Sequence, residues 1–133
     1  MARPAKPFDT VLLFAALADP TRLRLLNLMN GREVCVCYFV EILRQPQPKI
    51  SRHLAYLRKA GLVTARREGK WMHYRIENPR SPAAAAVLGK TLDGLRHDAQ
   101  MRADLAMLDR ACCRPQGYVP LPGAPPPTHV SRQ

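Results

Sequence analysis

The sequence lacks the features that mark several common classes of protein. No apolar run reaches the roughly 20 residues of a membrane-spanning helix, and the first ten residues lack the apolar core of a secretory signal. No phosphate-binding loop, no HExxH motif and no serine or cysteine beside an evident base is present. We therefore expect a cytoplasmic protein that has no membrane partner and is not an enzyme.

Acidic residues are also scarce. The chain of 133 residues has 10 acidic side chains against 21 basic ones, which gives a net charge of +11. So basic a protein needs an anionic partner; charge alone would allow DNA, RNA or an acidic membrane surface, and the residues considered below favour DNA. The length suits one domain. Four cysteines in a cytoplasmic protein are more typical of thiols, metal ligands or redox sensors than of disulfides.

The stretch from Pro46 to Gly61 predicts an amphipathic helix with a basic side. Its apolar residues recur at the spacing of one helix face: Ile50, Leu54 and Leu57. Its other faces are polar and mostly basic: Lys49, Ser51, Arg52, His53, Arg58 and Lys59. Pro48 suits the first turn of a helix, and Gly61 is placed to end the helix in a left-handed conformation.

The residues after this helix predict a β-hairpin. Leu62–Thr64 suits a strand, Arg66–Lys70 suits a tight turn, and Trp71–Ile76 suits a second strand with alternating faces. Between residues 44 and 75 there are nine basic residues and one acid, Glu68. A basic helix followed by a charged hairpin indicates a winged helix-turn-helix that reads duplex DNA, in preference to a merely solvated basic face.

Two helices are predicted before this unit. Asp9 is a suitable N-cap for the apolar run Thr10–Leu17, which we expect to be buried on several sides, in part against a second subunit. Asp19 and Pro20 then start a second helix that continues to Met29. That helix is predicted to turn leucines inward (Leu23, Leu26 and also Leu25) and arginines outward (Arg22 and Arg24).

The apolar run Glu33–Leu43 fits either a strand or a buried helix by its periodicity. Its place just before the basic helix favours the first helix of the helix-turn-helix, with Gln45–Gln47 as the turn. The residues expected to face the core are Val36, Phe39, Val40 and Leu43.

A long helix is predicted after the hairpin, from Ala83 to about Arg110, with Ser81 as N-cap. Its apolar seam resembles a coiled-coil face that could pair with a second copy: Leu88, Leu92, Leu95, Ala99, Leu105 and Leu108. The fold class is thus mainly α with a small β-hairpin, a winged helix-turn-helix that dimerises through its N- and C-terminal helices. The predicted domain spans residues 9–110, between a flexible arm (1–8) and a disordered, proline-rich tail with a cysteine pair (111–133).

The cysteines form two close pairs, Cys35 with Cys37 and Cys112 with Cys113. The first pair could simply pack in a buried helix, because free cysteine is among the most buried residue types. The second pair, at a helix end, suits a soft thiophilic ion better than a core role. Residues i and i+2 of a helix do not face each other, so Cys35 and Cys37 reach one ion together only if the helix unwinds locally. A three-thiolate site is most simply completed by the second pair and one member of the first.

Four segments together resemble the ArsR family of arsenical-resistance repressors. They are LADPTRLRLL (17–26), EVCVC (33–37), QPKISRHLAYLRKAGLV (47–63) and REGKWMHYRI (67–76). The resemblance implies a homodimeric winged helix-turn-helix repressor that leaves its operator DNA when As(III) or Sb(III) binds cysteine thiolates.

The resemblance also bears on which cysteines bind the inducer. It places the metalloid ligands of the family at Cys35 and Cys37, but the position of a third family cysteine is Val40 here. Other branches of the family carry ligand cysteines near the chain ends, so Cys112 and Cys113 replace or complete the site under this interpretation. The predicted inducer site therefore comprises Cys35, Cys37, Cys112 and Cys113.

Side chains for DNA contact are predicted on the basic helix and the hairpin. Arginine and glutamine can read base edges by paired hydrogen bonds, whereas lysines and wing charges add salt-dependent affinity. The helix residues predicted to enter the major groove are Gln47, Lys49, Ser51, Arg52 and His53, and His53 could instead pack between helices. The wing residues predicted to lie along phosphate or in the minor groove are Arg66, Arg67 and Lys70.

Two other functions fit parts of the pattern. A zinc, cadmium or redox sensor would share the fold, although the last helix offers few metal-binding side chains (Asp93, His97, Asp98 and Asp104). A basic RNA-binding protein is disfavoured because Trp71 and Tyr74 in the hairpin are better explained by packing than by base stacking.

Overall fold

A computed structural model describes the backbone of residues 8–112, 125 and 128–129, and the side chains of residues 8–111 and 125. The elements in chain order are α1 (Thr10–Leu17), α2 (Pro20–Leu28), β1 (Arg32–Cys35), α3 (Val36–Leu43), α4 (Gln47–Lys59), β2 (Val63–Glu68), β3 (Trp71–Ile76), α5 (Pro82–Leu95), α6 (Ala99–Cys112) and β4 (Thr128–His129). Most of the predicted arm and tail lies outside the described residues.

A small antiparallel sheet has the strand order β2-β3-β1-β4. The hairpin turn is shorter than predicted, because Arg66–Glu68 continue β2 and only Gly69 and Lys70 make the turn. Gly69 has a φ of +59°, a conformation that glycine adopts without steric cost and that two-residue hairpin turns require. The hairpin forms the wing of a winged helix-turn-helix, which confirms the predicted mainly α fold with a β-hairpin, whereas dimerisation through the terminal helices stays a prediction.

The apolar run before the basic helix is both strand and helix. Arg32–Cys35 is a strand, β1, because its backbone pairs with β3, so the prediction of a single helix was wrong at its start. From Val36 onward the run is helix α3, and it ends at Arg44 in the left-handed conformation with a φ of +54°. Of the four predicted core residues, Phe39 and Leu43 are buried, whereas the other two are half-buried.

Helix α2 begins as predicted, because the Asp19 side chain accepts a hydrogen bond from the Arg22 amide at 2.9 Å. The outward orientation of its arginines was wrong. The Arg22 guanidinium donates to the carbonyl oxygens of Ala15 and Ala16 at 2.9 and 2.8 Å, and it stacks on the Tyr56 ring. Of the predicted inward residues, Leu25 and Leu26 are buried and Leu23 is half-buried.

The second arginine of α2 ties this helix to the last one. Arg24 donates to both carboxylate oxygens of Asp104 on α6, at 2.7 and 2.9 Å, and Asp104 is 1% exposed. Close by, the Asn27 side chain donates to the Met101 carbonyl at 3.0 Å. Helix α6 therefore docks on α2 through polar contacts as well as apolar ones.

The single long helix predicted after the hairpin is interrupted. It consists of α5 and α6, and Asp98 starts α6 by accepting a hydrogen bond from the Met101 amide at 3.1 Å. The predicted N-cap Ser81 is confirmed at the start of α5. Much of the predicted intersubunit seam is used within the chain instead, because Leu88, Leu92 and Leu108 are buried in its own core.

One side of helix α1 packs on this core, and another side of the helix is exposed to solvent. Leu13 and Ala16 are buried, whereas Val11 is 79% exposed and Phe14 is 53% exposed. Among the described residues, no helix has both the length and the apolar character needed to cross a membrane.

Candidate DNA-binding surface and cysteine site

Helix α4 has the two faces that its sequence predicts. Ile50, Leu54 and Leu57 are fully buried against the rest of the domain. This apolar face holds the helix in place, and the opposite face lies in solvent. The predicted contacts on that exposed face are Gln47, Lys49, Ser51 and Arg52.

The end of α4 fixes where the wing begins. Gly61 has a φ of +77°, as predicted for a left-handed cap. Its amide donates to the Arg58 carbonyl at 2.9 Å, and the Leu62 amide donates to the Leu57 carbonyl at 3.0 Å. This pair of bonds is the Schellman arrangement, which reverses the chain sharply. Strand β2 therefore starts at Val63 and carries the wing next to the basic helix.

His53 is on α4 but turns toward α2. Its Nδ1 atom lies 3.3 Å from the Arg22 guanidinium, and its side chain is 17% exposed. Burial lowers the pKa of His53, and this effect outweighs the opposing attraction of Asp19. A neutral imidazole whose Nδ1 accepts from Arg22 fits this environment. The geometry matches the packing role that the sequence left open.

The basic residues of the wing differ in their surroundings. Arg67 and Lys70 are exposed, and the Lys70 ammonium lies 5.1 Å from the centre of the Trp71 ring. Arg66 is held by carboxylates, with its Nη2 atom 2.6 Å from Glu33 Oε1 and its Nη1 atom 3.3 Å from Glu68 Oε2. The sequence pattern did not identify Glu33 as a partner of Arg66, because the two residues come together only through the pairing of the strands.

Cys35 and Cys37 lie where β1 changes into α3. Cys35 is extended, with φ −70° and ψ 142°, and Cys37 is in the first turn of the helix. Because Cys35 is not helical, the two side chains are not kept apart as residues i and i+2 of a helix would be. Their sulfur atoms lie 3.2 Å apart, and both are free thiols. Cys35 is buried and Cys37 is half-buried. The pair can therefore present both sulfurs to one ion.

The pKa of Cys37 is raised to about 12, first by burial and then by its hydrogen bond to the Cys35 sulfur. At neutral pH Cys37 is therefore a protonated thiol that donates a hydrogen bond to the Cys35 sulfur. A ligand that binds both sulfurs must provide a route for that proton to leave.

The second cysteine pair is only partly described. Cys112 ends α6, but its side chain and all of Cys113 lie outside the described residues. An ion pair between Arg32 and Asp109 ties the last turn of α6 to the first residue of β1. Among described side chains, no group of three His, Cys, Asp or Glu residues could hold a metal ion.

Comparisons with known proteins agree with this geometry. The model of a family described as "Bacterial regulatory protein, arsR family" matches residues 19–65. The arsenical resistance operon repressor of Escherichia coli (strain K12) is 52% identical over 79 residues, which are 59% of this chain and 67% of that protein. A probable mercury resistance operon repressor of Streptomyces lividans is 43% identical over 74 residues, which are 56% of this chain and 59% of that protein.

A solved structure supports the same assignment. Reduced HlyU from Vibrio cholerae N16961 matches with a TM-score of 0.54 and 31% identity, over 66% of this chain and 88% of that chain. The resemblance read from the sequence motifs is thus confirmed by a matching family model, by closely similar repressors and by a shared structure. The chain belongs to the ArsR family of bacterial regulatory proteins, and it is a DNA-binding transcriptional repressor and not an enzyme.

Proposed function

We propose that this repressor binds operator DNA as a dimer in the cytoplasm and leaves it when As(III) or Sb(III) binds its cysteine thiols. The observation that carries the proposal is the pair of free sulfurs 3.2 Å apart at the β1–α3 junction. Helix α3 leads directly into the basic helix α4. A ligand that pulls on the thiols therefore acts one element away from the DNA-binding face.

The protonated Cys37 thiol favours a trivalent metalloid over a divalent cation. Arsenite in neutral water is the uncharged trihydroxide, so each new sulfur–arsenic bond replaces an arsenic–oxygen bond. The thiol proton leaves with the departing hydroxide as water, and no electrons are transferred. Cd²⁺ and Zn²⁺ bring no such base and must displace the protons. The high pKa of Cys37 penalises that displacement.

A trivalent metalloid forms three bonds, and the sulfurs of Cys35 and Cys37 provide two of them. Cys112 and Cys113 are the proposed source of the third thiolate, from the same chain or from the second subunit. The Arg32–Asp109 ion pair supports the first route, because it holds the last turn of α6 beside the strand that ends in Cys35.

The proposed DNA contacts follow the exposed basic surface. The helix α4 residues assigned to the major groove are Gln47, Lys49, Ser51 and Arg52, and the wing residues assigned to the DNA backbone are Arg67 and Lys70. His53 and Arg66, which were also predicted as contacts, are engaged by other side chains of the same protein.

A dimer is proposed because α1 leaves Val11 and Phe14 in solvent. Large apolar side chains exposed side by side on a helix suit an interface with a second copy. Two copies would place two α4 helices about one DNA turn apart, as a symmetric operator requires. A shift of α3 on metalloid binding would change that spacing. Release by a factor of about 100 needs near 3 kcal/mol of coupling.

The test is fluorescence anisotropy on labelled promoter DNA, titrated with arsenite, antimonite, Cd²⁺, Zn²⁺ and Hg²⁺ in a phosphine reductant that carries no thiol. Wild type is compared with two double variants, Cys35→Ser/Cys37→Ser and Cys112→Ser/Cys113→Ser. We expect release by the two metalloids, and loss of that release in the first variant while its DNA binding persists. Release by divalent cations alone would instead indicate a cadmium, zinc or mercury sensor. An unchanged metalloid response in the first variant would contradict the proposed site.

A further inference from the structure

One face of the sheet carries an ion pair that crosses three strands. In the sheet register Cys35 of β1 lies opposite His73 of β3, and His73 lies opposite Arg66 of β2. Side chains of directly paired residues project from the same face of a sheet. From β2 the Arg66 side chain reaches over β3 to the Glu33 carboxylate on β1. The contact therefore ties the outer strand of the wing to the strand that ends in Cys35.

The two partners of this ion pair are held tightly. Arg66 donates from Nε and Nη2 to the same Glu33 oxygen, at 3.2 and 2.6 Å, and from Nη1 to Glu68. All three guanidinium nitrogens are thus engaged. The Glu33 side chain is only 12% exposed, and the bond from Arg66 is the main reason that its pKa is lowered. The side chain of neighbouring Arg67, in contrast, is exposed and makes no hydrogen bond to any described residue.

An acidic side chain on this surface calls for an explanation. A carboxylate beside a DNA-binding wing repels phosphate, so removing it should strengthen DNA binding unless it has another task. The hydrogen bonds of Glu33 point to that task. They fix the arginine, and with it the wing, at a set distance from β1.

We propose that Glu33 and Arg66 are a positioning pair that holds the wing in its DNA-binding orientation, and that Arg66 does not contact phosphate. This inference rests on the proposed function to the extent that the wing meets DNA. It predicts that loss of either partner weakens operator binding, although the two carry opposite charges.

The experiment measures operator affinity at several salt concentrations for wild type, Glu33→Gln, Arg66→Gln, the double variant and the control Arg67→Gln. Glu33→Gln and Arg66→Gln should each weaken binding about two- to fivefold. The double variant should be no weaker than either single one, and Arg66→Gln should leave the salt dependence unchanged. Arg67→Gln should lower the slope of log affinity against log salt by about one, as a lost phosphate contact does.

A further variant, Arg66→Lys, keeps the positive charge but cannot make paired bonds to one carboxylate. It should bind as weakly as Arg66→Gln if Arg66 is a positioning residue. Tighter binding by Glu33→Gln, or a lower salt slope for Arg66→Gln with recovery in Arg66→Lys, would overturn the inference and make Arg66 a phosphate contact. Unchanged affinity in both single variants would overturn it as well. Failure of the wild type to bind the operator would instead overturn the proposed function.

Discussion

Single residues of the DNA-binding helix have opposite surroundings although they are neighbours in sequence. Arg52 is exposed, whereas the next residue, His53, lies against Arg22 of α2 and the N-cap of that helix, Asp19. The two side chains therefore have different roles. We expect Arg52→Ala to reduce operator specificity, and we expect changes of His53 to alter the stability of the fold.

His53 should make stability depend on pH. Its pKa is lowered in the folded protein, so below the ordinary histidine value of about 6.5 the unfolded chain takes up a proton more readily. The free energy of unfolding should therefore fall as pH decreases from about 7.5 to 5.5. In His53→Asn the free energy of unfolding should fall less over the same pH range. Urea unfolding of both proteins at the two pH values tests this, and equal falls would contradict it.

Between elements, the tie from α2 to α6 is asymmetric. Asp104 is buried, whereas Arg24 keeps 21% of its side chain exposed. Loss of the arginine would leave a buried carboxylate with Gln100 as its remaining partner among the described side chains. Loss of the carboxylate leaves a guanidinium that can still reach water. Loss of Arg24 should therefore lower the free energy of unfolding more than loss of the Asp104 carboxylate.

This asymmetry can be measured by denaturant unfolding. We expect Arg24→Met to lower the free energy of unfolding by about 3 kcal/mol, because it leaves a buried charge unpaired. Asp104→Asn keeps an acceptor for Arg24 and should cost about 1 kcal/mol. A larger loss for Asp104→Asn than for Arg24→Met would contradict the proposed asymmetry.

The elements differ in how far sequence could predict them. Helix α4 was predictable because its apolar spacing, its first-turn Pro48 and its cap Gly61 all act within a few residues. The break before α6 was missed because the apolar seam continues across it, and only Asp98 marks a new start. The inward arginines were missed because their acceptors lie on other helices, 80 residues away for Arg24.

The candidate site was predictable in its residue types but not in its geometry. The sequence identifies Cys35 and Cys37 as a pair, yet their sulfur distance depends on a change from strand to helix at Cys35. Pairing with β3, at His73, favours the strand conformation there. Glu33 could not be recognised for the same reason, since only a strand places it on the same face as Cys35.

At the scale of the whole molecule, the exposed apolar side of α1 predicts a dimer. Phe14→Glu should shift the protein toward a monomer in sedimentation experiments, because it would bury a carboxylate in the interface. Circular dichroism should show that the variant is still folded, since Phe14 is 53% exposed in the single chain. The loss of dimerisation in this variant should also lower its affinity for the operator. A folded variant that remains dimeric would place the interface elsewhere.

The contact between Arg24 and Asp104 also affects when the protein can fold during its synthesis. The two residues are 80 positions apart, and closing so long a loop is slow compared with local helix formation. Helix α2 lacks its charged partner until the ribosome has released α6. The helix-turn-helix unit, which lies between the two residues, therefore reaches its final packing only after α6 has been synthesised. A chain that ends before α6 lacks this contact, and we expect its helix-turn-helix unit to be less stable than that of the whole domain.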